Sequence, residues 1–557
     1  MAKEQRRAIP GHRPRRAPPV SEQITTVNLA ERAEVTVVVR SKCSDEEWAK
    51  LLASSITGPP KQRRYLTRAE FGKKCGASRA DLAKVRAFAQ AFQLKVVSSD
   101  AWRRCVVVSG TIRQLKKAFA VEFYGVKHAL GVFRTVREAP QVPESIFPIV
   151  EAVIGLDNLP SATPHLAKGS TTGGEPELHL RELRKVYSFP PKFSGKGQCV
   201  AVIELGGGLS RRDFKTYFAR IGLAAPRLRI KTMPGVSNET APPEAMEKLA
   251  NEALNGPFWP IIPPNELAVW TWETAMDLQI VGTLAPEATL LLLLANGNDQ
   301  GEYHAVTSVL GDARNAPSVI SCSWSWPEWQ MTPILMPVLN RWFQAAAILG
   351  VTVCYSAGDR GDGSVGKAPG QPLDYVTNFP GTSPYVLTCG GTTLDVEANT
   401  ETAWNQRIGK LGLPMAGGGG FSDVFERPAW QDGERFNSAK WIPPNNTSGT
   451  GRGIPDVSAK ANLDPAFCIL AGTEIPAGGT SASAPLWAAL IAVFNEALNC
   501  PVGCINPLLY EGGLHKALRD ITEGNIGHLQ AKVGWDPASG WGSPHGIAML
   551  KALRGGK

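Results

Sequence analysis

The chain has 557 residues, a hydrophobic content of 43% and a formal net charge of +9. This length predicts two or three domains, and the composition is typical of a globular protein rather than a disordered or fibrous one. The main apolar runs, Leu290 to Ala295 and Leu486 to Phe494, are too short to span a bilayer, so no membrane segment is expected.

The positive charge is concentrated in the first 165 residues, which hold 28 Lys and Arg against 15 Asp and Glu, whereas the remainder holds 31 against 35. A basic region can bind nucleic acid, but these cations are dispersed through helical and strand patterns, so nucleic-acid binding is not expected. Residues 1–30 are rich in Arg and Pro and are expected to form a basic disordered tail. No apolar stretch follows these arginines, so no standard secretory signal is seen.

Strand and helix patterns alternate between residues 31 and 158. Predicted strands lie at Glu34–Arg40, Lys95–Ser98, Arg104–Ser109 and Ala120–Tyr124, and predicted helices at Asp45–Ala53, Arg79–Phe92 and Thr111–Phe119. This alternation predicts a ferredoxin-like two-layer α/β domain.

Residues 159–177 are rich in Pro, Ser, Thr and Gly and have no hydrophobic period, which predicts an exposed linker. From residue 178 to 557 strands and helices alternate again, at Cys199–Glu204, Arg211–Ile221, Ala288–Ala295, Val319–Ser323, Asn340–Leu349 and Thr352–Ser356. This order predicts an α/β domain with a parallel sheet and helices on both faces. Ligands of such sheets bind beyond the carboxyl ends of the strands.

A turn of small residues, Gly478 to Pro485, delivers Ser481 to the start of an apolar helix at Leu486–Leu498. A serine hydroxyl becomes a good nucleophile only when a base removes its proton. None of the eight histidines stands in the His-Gly-Thr-His setting of a subtilisin-type triad. The chain offers instead Glu273 and Asp277, whose spacing places both carboxylates on one helix face, among apolar neighbours that indicate burial.

Together, the Gly-Thr-Ser turn, the Glu-x-x-x-Asp helix and the strand-end segment Tyr355 to Gly361 resemble the sedolisin family of serine-carboxyl peptidases, its kumamolisin-like members above all. The resemblance covers nearly the whole chain and includes a basic N-terminal region similar to the family's activation propeptide. It implies a subtilisin-like catalytic domain at 178–557, an inhibitory and folding-assisting propeptide domain at 31–158, and processing within 159–177. It also implies an acid-active, secreted endopeptidase.

The resemblance assigns the chemistry to four residues. Ser481 would be the nucleophile, Glu273 its base and acid, Asp277 the partner of Glu273, and Asp359 a neutral acid in the oxyanion hole. Two close carboxylates titrate as a coupled pair, and a carboxylate base remains partly ionised at a pH where an imidazole is fully protonated. The supporting acid network of the family aligns with Glu204 and Trp324.

Near the C-terminus, the segments Asp520 to Asn525 and Gly534 to Pro537 resemble the calcium site of the family. The resemblance implies one structural calcium ion, which prefers oxygen ligands. The implied ligands are the carboxylates of Asp520 and Asp536 and the backbone carbonyls of Ile521, Lys532 and Gly534. Lys532 replaces a residue that is commonly glycine in the family, and a nearby ammonium could weaken calcium binding.

Two further expectations concern contacts within the chain. Cys500 and Cys504 flank a short turn and could form a disulfide. A basic N-terminal region that faces an acidic catalytic domain predicts attraction that weakens when the carboxylates of the catalytic domain are protonated.

Two other function classes stay open. A conventional Ser-His-Asp hydrolase would require one of the histidines, and a non-enzymatic basic binding protein would not require Ser481. A family member without activity is a weaker third reading, because every expected acid and the serine are present. The expected partners are protein or peptide substrates and the chain's own propeptide, and the expected oligomeric state is a monomer.

Overall fold

The structure is a computed structural model with two domains. It describes residues 5–12, 24–128, 131–160, 163–164, 167–168, 180–248, 266–364, 376–408, 413–433, 436, 441, 450–462, 466–470 and 473–555.

The N-terminal domain is built on a four-stranded antiparallel sheet. Its strands are β1 (Arg6–Ala8), β2 (Ile24–Thr25), β3 (Arg32–Val39), β4 (Lys95–Asp100), β5 (Cys105–Thr111), β6 (Phe123–His128), β7 (Gly131–Val136), β8 (Gln141–Pro143) and β9 (Val150–Ile154), and its helices are α1 (Asp45–Ile56), α2 (Arg68–Cys75), α3 (Arg79–Ala91) and α4 (Ile112–Phe119). The main sheet has the order β4-β5-β3-β9, with α1 to α3 before β4 and α4 before β9. This is the ferredoxin-like arrangement, so the predicted fold of this domain is confirmed.

The described part of the N-terminal tail is not disordered, contrary to the prediction. Strand β1 pairs antiparallel with β8, and Ile9 is buried. Arg7 lies over the ring of Phe147, 4.0 Å from its centroid, and forms an ion pair with Glu144. The arginines that suggested disorder therefore hold the tail on the domain.

The C-terminal domain contains the elements that follow the linker. Its strands are β12 (Cys199–Glu204), β13 (Leu228–Thr232), β14 (Thr289–Leu294), β15 (Val319–Cys322), β16 (Trp324–Pro327), β17 (Thr352–Ser356), β18 (Asn378–Phe379), β19 (Leu387–Asp395), β20 (Thr400–Ala403), β21 (Asn405–Ile408), β22 (Leu413–Ala416), β23 (Gly420–Glu426), β24 (Gly451–Ile454), β25 (Val457–Lys460), β26 (Ala466–Leu470) and β27 (Thr473–Gly478). Its helices are α5 (Leu183–Val186), α6 (Arg211–Arg220), α7 (Glu266–Leu284), α8 (Asp299–Leu310), α9 (Leu335–Ile348), α10 (Thr480–Leu498), α11 (Asn506–Tyr510) and α12 (Gly546–Leu553).

The central sheet has the order β13-β14-β12-β15-β17-β19-β20, with β25 also paired to β19. All of its pairs are parallel except β19 with β20. One hydrophobic core joins the sheet to α6, α7, α10 and α12, and a second joins it to α8 and α9. The predicted subtilisin-like parallel sheet with helices on both faces is confirmed.

The second core continues into the N-terminal domain. Trp48 and Phe71 belong to the same buried cluster as Trp342 of α9, and the ring of Trp102 stacks on that of Trp342 at 5.5 Å. The N-terminal domain therefore covers α8 and α9, on the side of the sheet away from α7 and α10.

The expected attraction between N-terminal cations and C-terminal carboxylates is present at Arg68, whose pKa burial lowers and the charge of Asp312 raises, but the direct contacts of the described interface are of another kind. Arg63 and Arg68 of the N-terminal domain donate to backbone carbonyls of the C-terminal domain, at 2.6–2.9 Å. An ion pair between the domains joins Asp45 to Arg341, with the cation on the C-terminal side. Carbonyl acceptors do not titrate, so these arginine contacts do not respond to acid.

One described helix, α10, is long and apolar enough to cross a membrane, but 89% of the relevant window is buried inside the domain, as in the core helix of a globular protein. Nine cysteines, all with described side chains, are free thiols; Cys500 and Cys504 are among them, so the predicted bridge is wrong for this structure.

Candidate active site

The predicted catalytic and supporting residues converge at one edge of the central sheet. Glu204 ends β12, Ser323 follows β15, and Asp359 follows β17. All three therefore lie at the carboxyl ends of parallel strands, where ligands bind in such sheets. Helix α7 contributes Glu273 and Asp277, and the first turn of α10 contributes Ser481.

Ser481 and Glu273 form the buried centre of the site. Both are fully buried, and neither Ser481 Oγ nor either oxygen of Glu273 has a hydrogen bond of normal geometry within the described residues. The Ser481 hydroxyl is nevertheless close enough to lower the pKa of Glu273. Catalytic hydrogen bonds are often loose without substrate, so this arrangement suits a serine and its proton acceptor.

The carboxyl groups around Ser481 destabilise one another's charge. Burial raises the pKa of Glu273 well above its ordinary value, and the charges of Asp277, Glu204 and Asp359 raise it further. Burial likewise raises the pKa of Asp277, while the Ser323 hydroxyl, which donates to Asp277 Oδ2 at 2.7 Å, lowers it. The group therefore holds protons at a pH where exposed carboxyls are ionised.

Glu204 extends this acid group away from Ser481. The indole N–H of Trp324 donates to Glu204 Oε2 at 2.8 Å, and both side chains are buried. Burial and the charge of Asp277 raise the pKa of Glu204, whereas the hydrogen bond from Trp324 lowers it.

Asp359 has one occupied and one free oxygen. The backbone N–H and the hydroxyl of Thr480 both donate to Oδ1, at 2.8 and 2.7 Å, and Oδ2 is buried without a partner among the described residues. Burial raises the pKa of Asp359 to about 7, although the Thr480 hydrogen bonds and the charge of Arg360 lower it. A proton on this carboxyl therefore belongs on Oδ2, from which it can be donated.

Glycines fix the backbone on both sides of the site. Gly479 precedes α10 with φ of +88°, a conformation that side chains rarely adopt. At Gly207, with φ of +71°, an added Cβ would lie 2.6 Å from the backbone of Trp270. The triple glycine of the sequence thus permits close packing against the start of α7.

Two contributing residues, Ser323 and Thr480, were not assigned roles by sequence reasoning. Ser323 lies 46 positions from the acid that it contacts, and Thr480 lies 121 positions from Asp359. The only signal for Thr480 was its place next to Ser481, and for Ser323 its place at a strand end.

Histidines are not part of the described site. His12 and His304 lie in or against the N-terminal domain, His515 stacks on Trp541, and His528 lies beside Asp362. His165 and His179 lie outside the described residues.

The linker between the domains forms two short strands beside the site. Strand β10 (Thr163–Pro164) pairs antiparallel with β16, opposite Ser325 and Trp324. Strand β11 (Ala167–Lys168) pairs antiparallel with β27, opposite Gly478 and Ala477. Pro164 is thus paired with Trp324, and Ala167 with a residue three positions before Ser481.

The predicted metal ligands lie in a separate C-terminal loop. Asp520 Oδ2 accepts from the backbone N–H of Gly534 at 2.8 Å, and Asp536 Oδ2 accepts from that of Lys532 at 2.9 Å. The Lys532 ammonium lies over the ring of Trp441, 4.6 Å from its centroid. Among the described residues, no group of three or more His, Cys, Asp or Glu is arranged to hold a metal.

Comparisons with known proteins agree with this geometry. The Pro-kumamolisin activation domain matches residues 20–159, and the subtilase family matches residues 267–507. Kumamolisin of a Bacillus species is 37% identical over 577 aligned positions, which cover 99% of this chain and 96% of kumamolisin. The chain belongs to the sedolisin family of serine-carboxyl peptidases.

The chain is also similar in sequence to a tripeptidyl-peptidase and in fold to a solved sedolisin structure. Tripeptidyl-peptidase 1 of Mus musculus is 26% identical over 96% of this chain and 94% of its own length. The structure of Pseudomonas sedolisin, complexed with two molecules of pseudo-iodotyrostatin, has a TM-score of 0.55 and 24% identity, and the match covers 69% of this chain and 99% of that one. This chain is thus a serine-type peptidase made with an N-terminal activation domain.

Proposed function

We propose that this sedolisin is an acid-active endopeptidase that acts through an acyl-enzyme on Ser481. The observation that supports this most strongly is the burial of Ser481 Oγ beside Glu273, in a group of carboxyls whose pKa values are raised. No described histidine is in contact with Ser481, which disfavours a Ser-His-Asp triad.

Each residue has a defined part in the proposed reaction. Glu273 takes the proton of Ser481 as Oγ attacks the peptide carbonyl, and Asp359 donates its Oδ2 proton to the oxyanion that forms. Glu273 then gives its proton to the leaving amine as the C–N bond breaks. Water releases the acyl group by the same steps in reverse order, with Glu273 again as base. Asp277 is the partner of Glu273 on the same helix face, and its charge keeps the pKa of Glu273 raised; Glu204, with Trp324, supports Asp277.

We also propose the position of self-processing. Residues 1–30 would be the tail, 31–158 the propeptide domain, 159–177 the linker and 178–557 the catalytic domain. Strands β10 and β11 present the linker to the site as an extended substrate. The first cut would then fall at one of the three peptide bonds between Pro164 and Ala167, inside the predicted linker.

The cut is tested by N-terminal sequencing of the products that the full-length chain forms at acid pH. The proposal expects a new N-terminus at residue 165, 166 or 167, which Ser481→Ala abolishes. Ser483→Ala is the matched control, because Ser483 is equally buried two residues along the same helix. A first cut outside this segment, or one that persists in Ser481→Ala, would contradict the proposal.

We propose further that the loop of Asp520 and Asp536 holds one calcium ion. The donor set fits a hard cation, because two carboxylates and the backbone carbonyls of Ile521, Lys532 and Gly534 supply only oxygen. The placement of the Lys532 ammonium on Trp441 supports the fit, since it directs the charge to an aromatic face. When bound, calcium would tie this loop together.

The remaining proposals concern the setting of the enzyme. We expect a secreted monomer that acts on proteins or peptides, without a membrane or nucleic-acid partner. Cell fractionation and the molar mass of the full-length chain in solution test this. A membrane-bound or oligomeric chain would contradict it.

A further inference from the structure

His304 lies at the contact between the prodomain and the catalytic domain. It belongs to α8 of the catalytic domain, and both hydrogen-bond partners of its ring belong to the prodomain. Nε2 lies 2.9 Å from the hydroxyl oxygen of Thr36 in β3, and Nδ1 contacts the guanidinium of Arg103.

The hydrogen-bond partners of His304 require its imidazole ring to be neutral. A guanidinium only donates and keeps its proton at any working pH, so Nδ1 must accept and carry no proton. The single ring proton is then on Nε2, which donates to Thr36 Oγ1. A second proton on Nδ1 would face the Arg103 cation and find no acceptor.

Arg103 cannot easily turn away from a protonated ring. Its Nε donates to Thr307 Oγ1 at 3.1 Å, its backbone N–H donates to Asp100, and its carbonyl accepts from the hydroxyl of Tyr303 at 2.6 Å. The backbone of Arg103 is therefore fixed on both sides, and Thr307 holds its guanidinium beside His304.

The other charged groups nearby do not offset this contact. Arg104 pairs with Glu151 at 3.0 Å, and Asp100 accepts from the backbone of residues 102 and 103. On α8, Asp299 and Glu302 are buried and have other interactions. Among the described residues, no carboxylate lies within ion-pair distance of the His304 ring.

We propose that His304 is the group through which acid separates the prodomain from the catalytic domain. The inference rests on the proposed zymogen function. It is distinct from the expected protonation of catalytic-domain carboxylates, because His304 is itself the group that gains the proton.

The size of the effect of acid on domain separation follows from the difference in the pKa of His304 between the closed and the separated state. Burial, with the charge of Arg103 second, lowers the pKa of His304 to about 3 in the closed chain. In the separated state the ring would return to about 6.5. Below pH 6.5 the separated state therefore binds one more proton, and the opening constant rises about tenfold per pH unit until about pH 3. Between pH 7.5 and 4.5 this amounts to about 100-fold.

The test is hydrogen–deuterium exchange of the full-length Ser481→Ala chain, followed in β3 and α8 from pH 4.5 to 7.5 and corrected for intrinsic rates. His304→Gln keeps an acceptor for Arg103 and a donor for Thr36 but cannot titrate. In this variant we expect most of the 100-fold rise in opening to be lost, with unchanged protection at pH 7.5. His545→Gln, at an exposed position at the start of α12, is the control and should behave like the parent.

If the opening constant of His304→Gln rises with acid as steeply as that of the parent, the inference is wrong. If that variant does not fold, Arg103→Gln serves instead, because His304 could then be protonated in place and the rise should again shrink. A residual slope is expected from His12, whose pKa burial lowers to about 4 and which lines a pocket shared with Asp299 and Ile334 of the catalytic domain. Because these chains lack the Ser481 hydroxyl, the opening measurement does not depend on peptidase activity. The proposed role of His304 and the proposed peptidase mechanism can therefore fail independently.

Discussion

Replacing Asp359 by Asn and by Ala separates hydrogen-bond donation from titration at the proposed oxyanion site. Asn fits the observed contacts, because its carbonyl oxygen can replace Oδ1 as acceptor from Thr480 and its NH2 group can replace the Oδ2–H donor. Ala removes the donor. Loss of one oxyanion donor typically lowers kcat by about 100- to 1,000-fold, so Asp359→Ala should fall in that range at pH 4–5.

The pH dependence supplies the sharper test. With a pKa of about 7 for Asp359, the parent chain keeps its donor below pH 7 and should lose about tenfold in rate for each pH unit above it. Asp359→Asn cannot lose a proton, so this loss should be absent. The assay is the first-order rate of self-processing from pH 4 to 9, expressed as the ratio of variant to parent, since both chains share the same domain interface.

Asp432→Asn, at an exposed carboxyl, is the matched control and should keep the parent profile. The reasoning is refuted if Asp359→Asn loses activity above pH 7 as steeply as the parent. It is also refuted if Asp359→Ala retains the parent rate at acid pH.

Three further predictions concern the surroundings of the site. Trp324→Phe removes the indole donor to Glu204, and since such a hydrogen bond contributes about 1 kcal/mol, self-processing should slow about fivefold. A rate equal to that of the parent would contradict the supporting role of Trp324. A calcium chelator should lower the melting temperature of the full-length Ser481→Ala chain; if calcium was present at 100 times its Kd, the loss of stability is about 2.7 kcal/mol. The same chain carrying Asp536→Asn should not respond to the chelator, and equal shifts in both chains would place the ion elsewhere. Gly207→Ala should lower the melting temperature for two reasons: a left-handed conformation destabilises a residue with a side chain by about 1–2 kcal/mol, and the new Cβ meets the backbone of Trp270. Gly222→Ala, at a similar φ but with open space around the Cβ, should lower it less, through the backbone conformation alone.

Sequence patterns predicted the order of strands and helices well where hydrophobic periodicity was strong. Strand β12 and the start of α1 were predicted at their observed residues. Helix α2 was missed, because its eight residues are mostly polar, although Thr67 and Glu70 carry a capping-box signal. Helix α10 begins six residues earlier than the predicted Leu486, because its first turn consists of small residues with no apolar period.

The candidate site was found through a family resemblance rather than through local pattern. Spacing alone placed Glu273 and Asp277 on one face, but it could not show which distant groups would approach them. Ser323 and Thr480 reach their acids only through the folding of the sheet. The role of His304 was equally inaccessible, since its two partners come from another domain.

The most direct test of the serine-carboxyl mechanism is the first-order rate of self-processing of the full-length chain at pH 4, measured for Glu273→Gln beside Glu287→Gln. Glu287 follows the same helix but is exposed, so its variant should process at the parent rate. Since a general base contributes about 100- to 10,000-fold, we predict a loss of at least about 100-fold in Glu273→Gln. A rate within a few-fold of the parent would show that Glu273 is not the base.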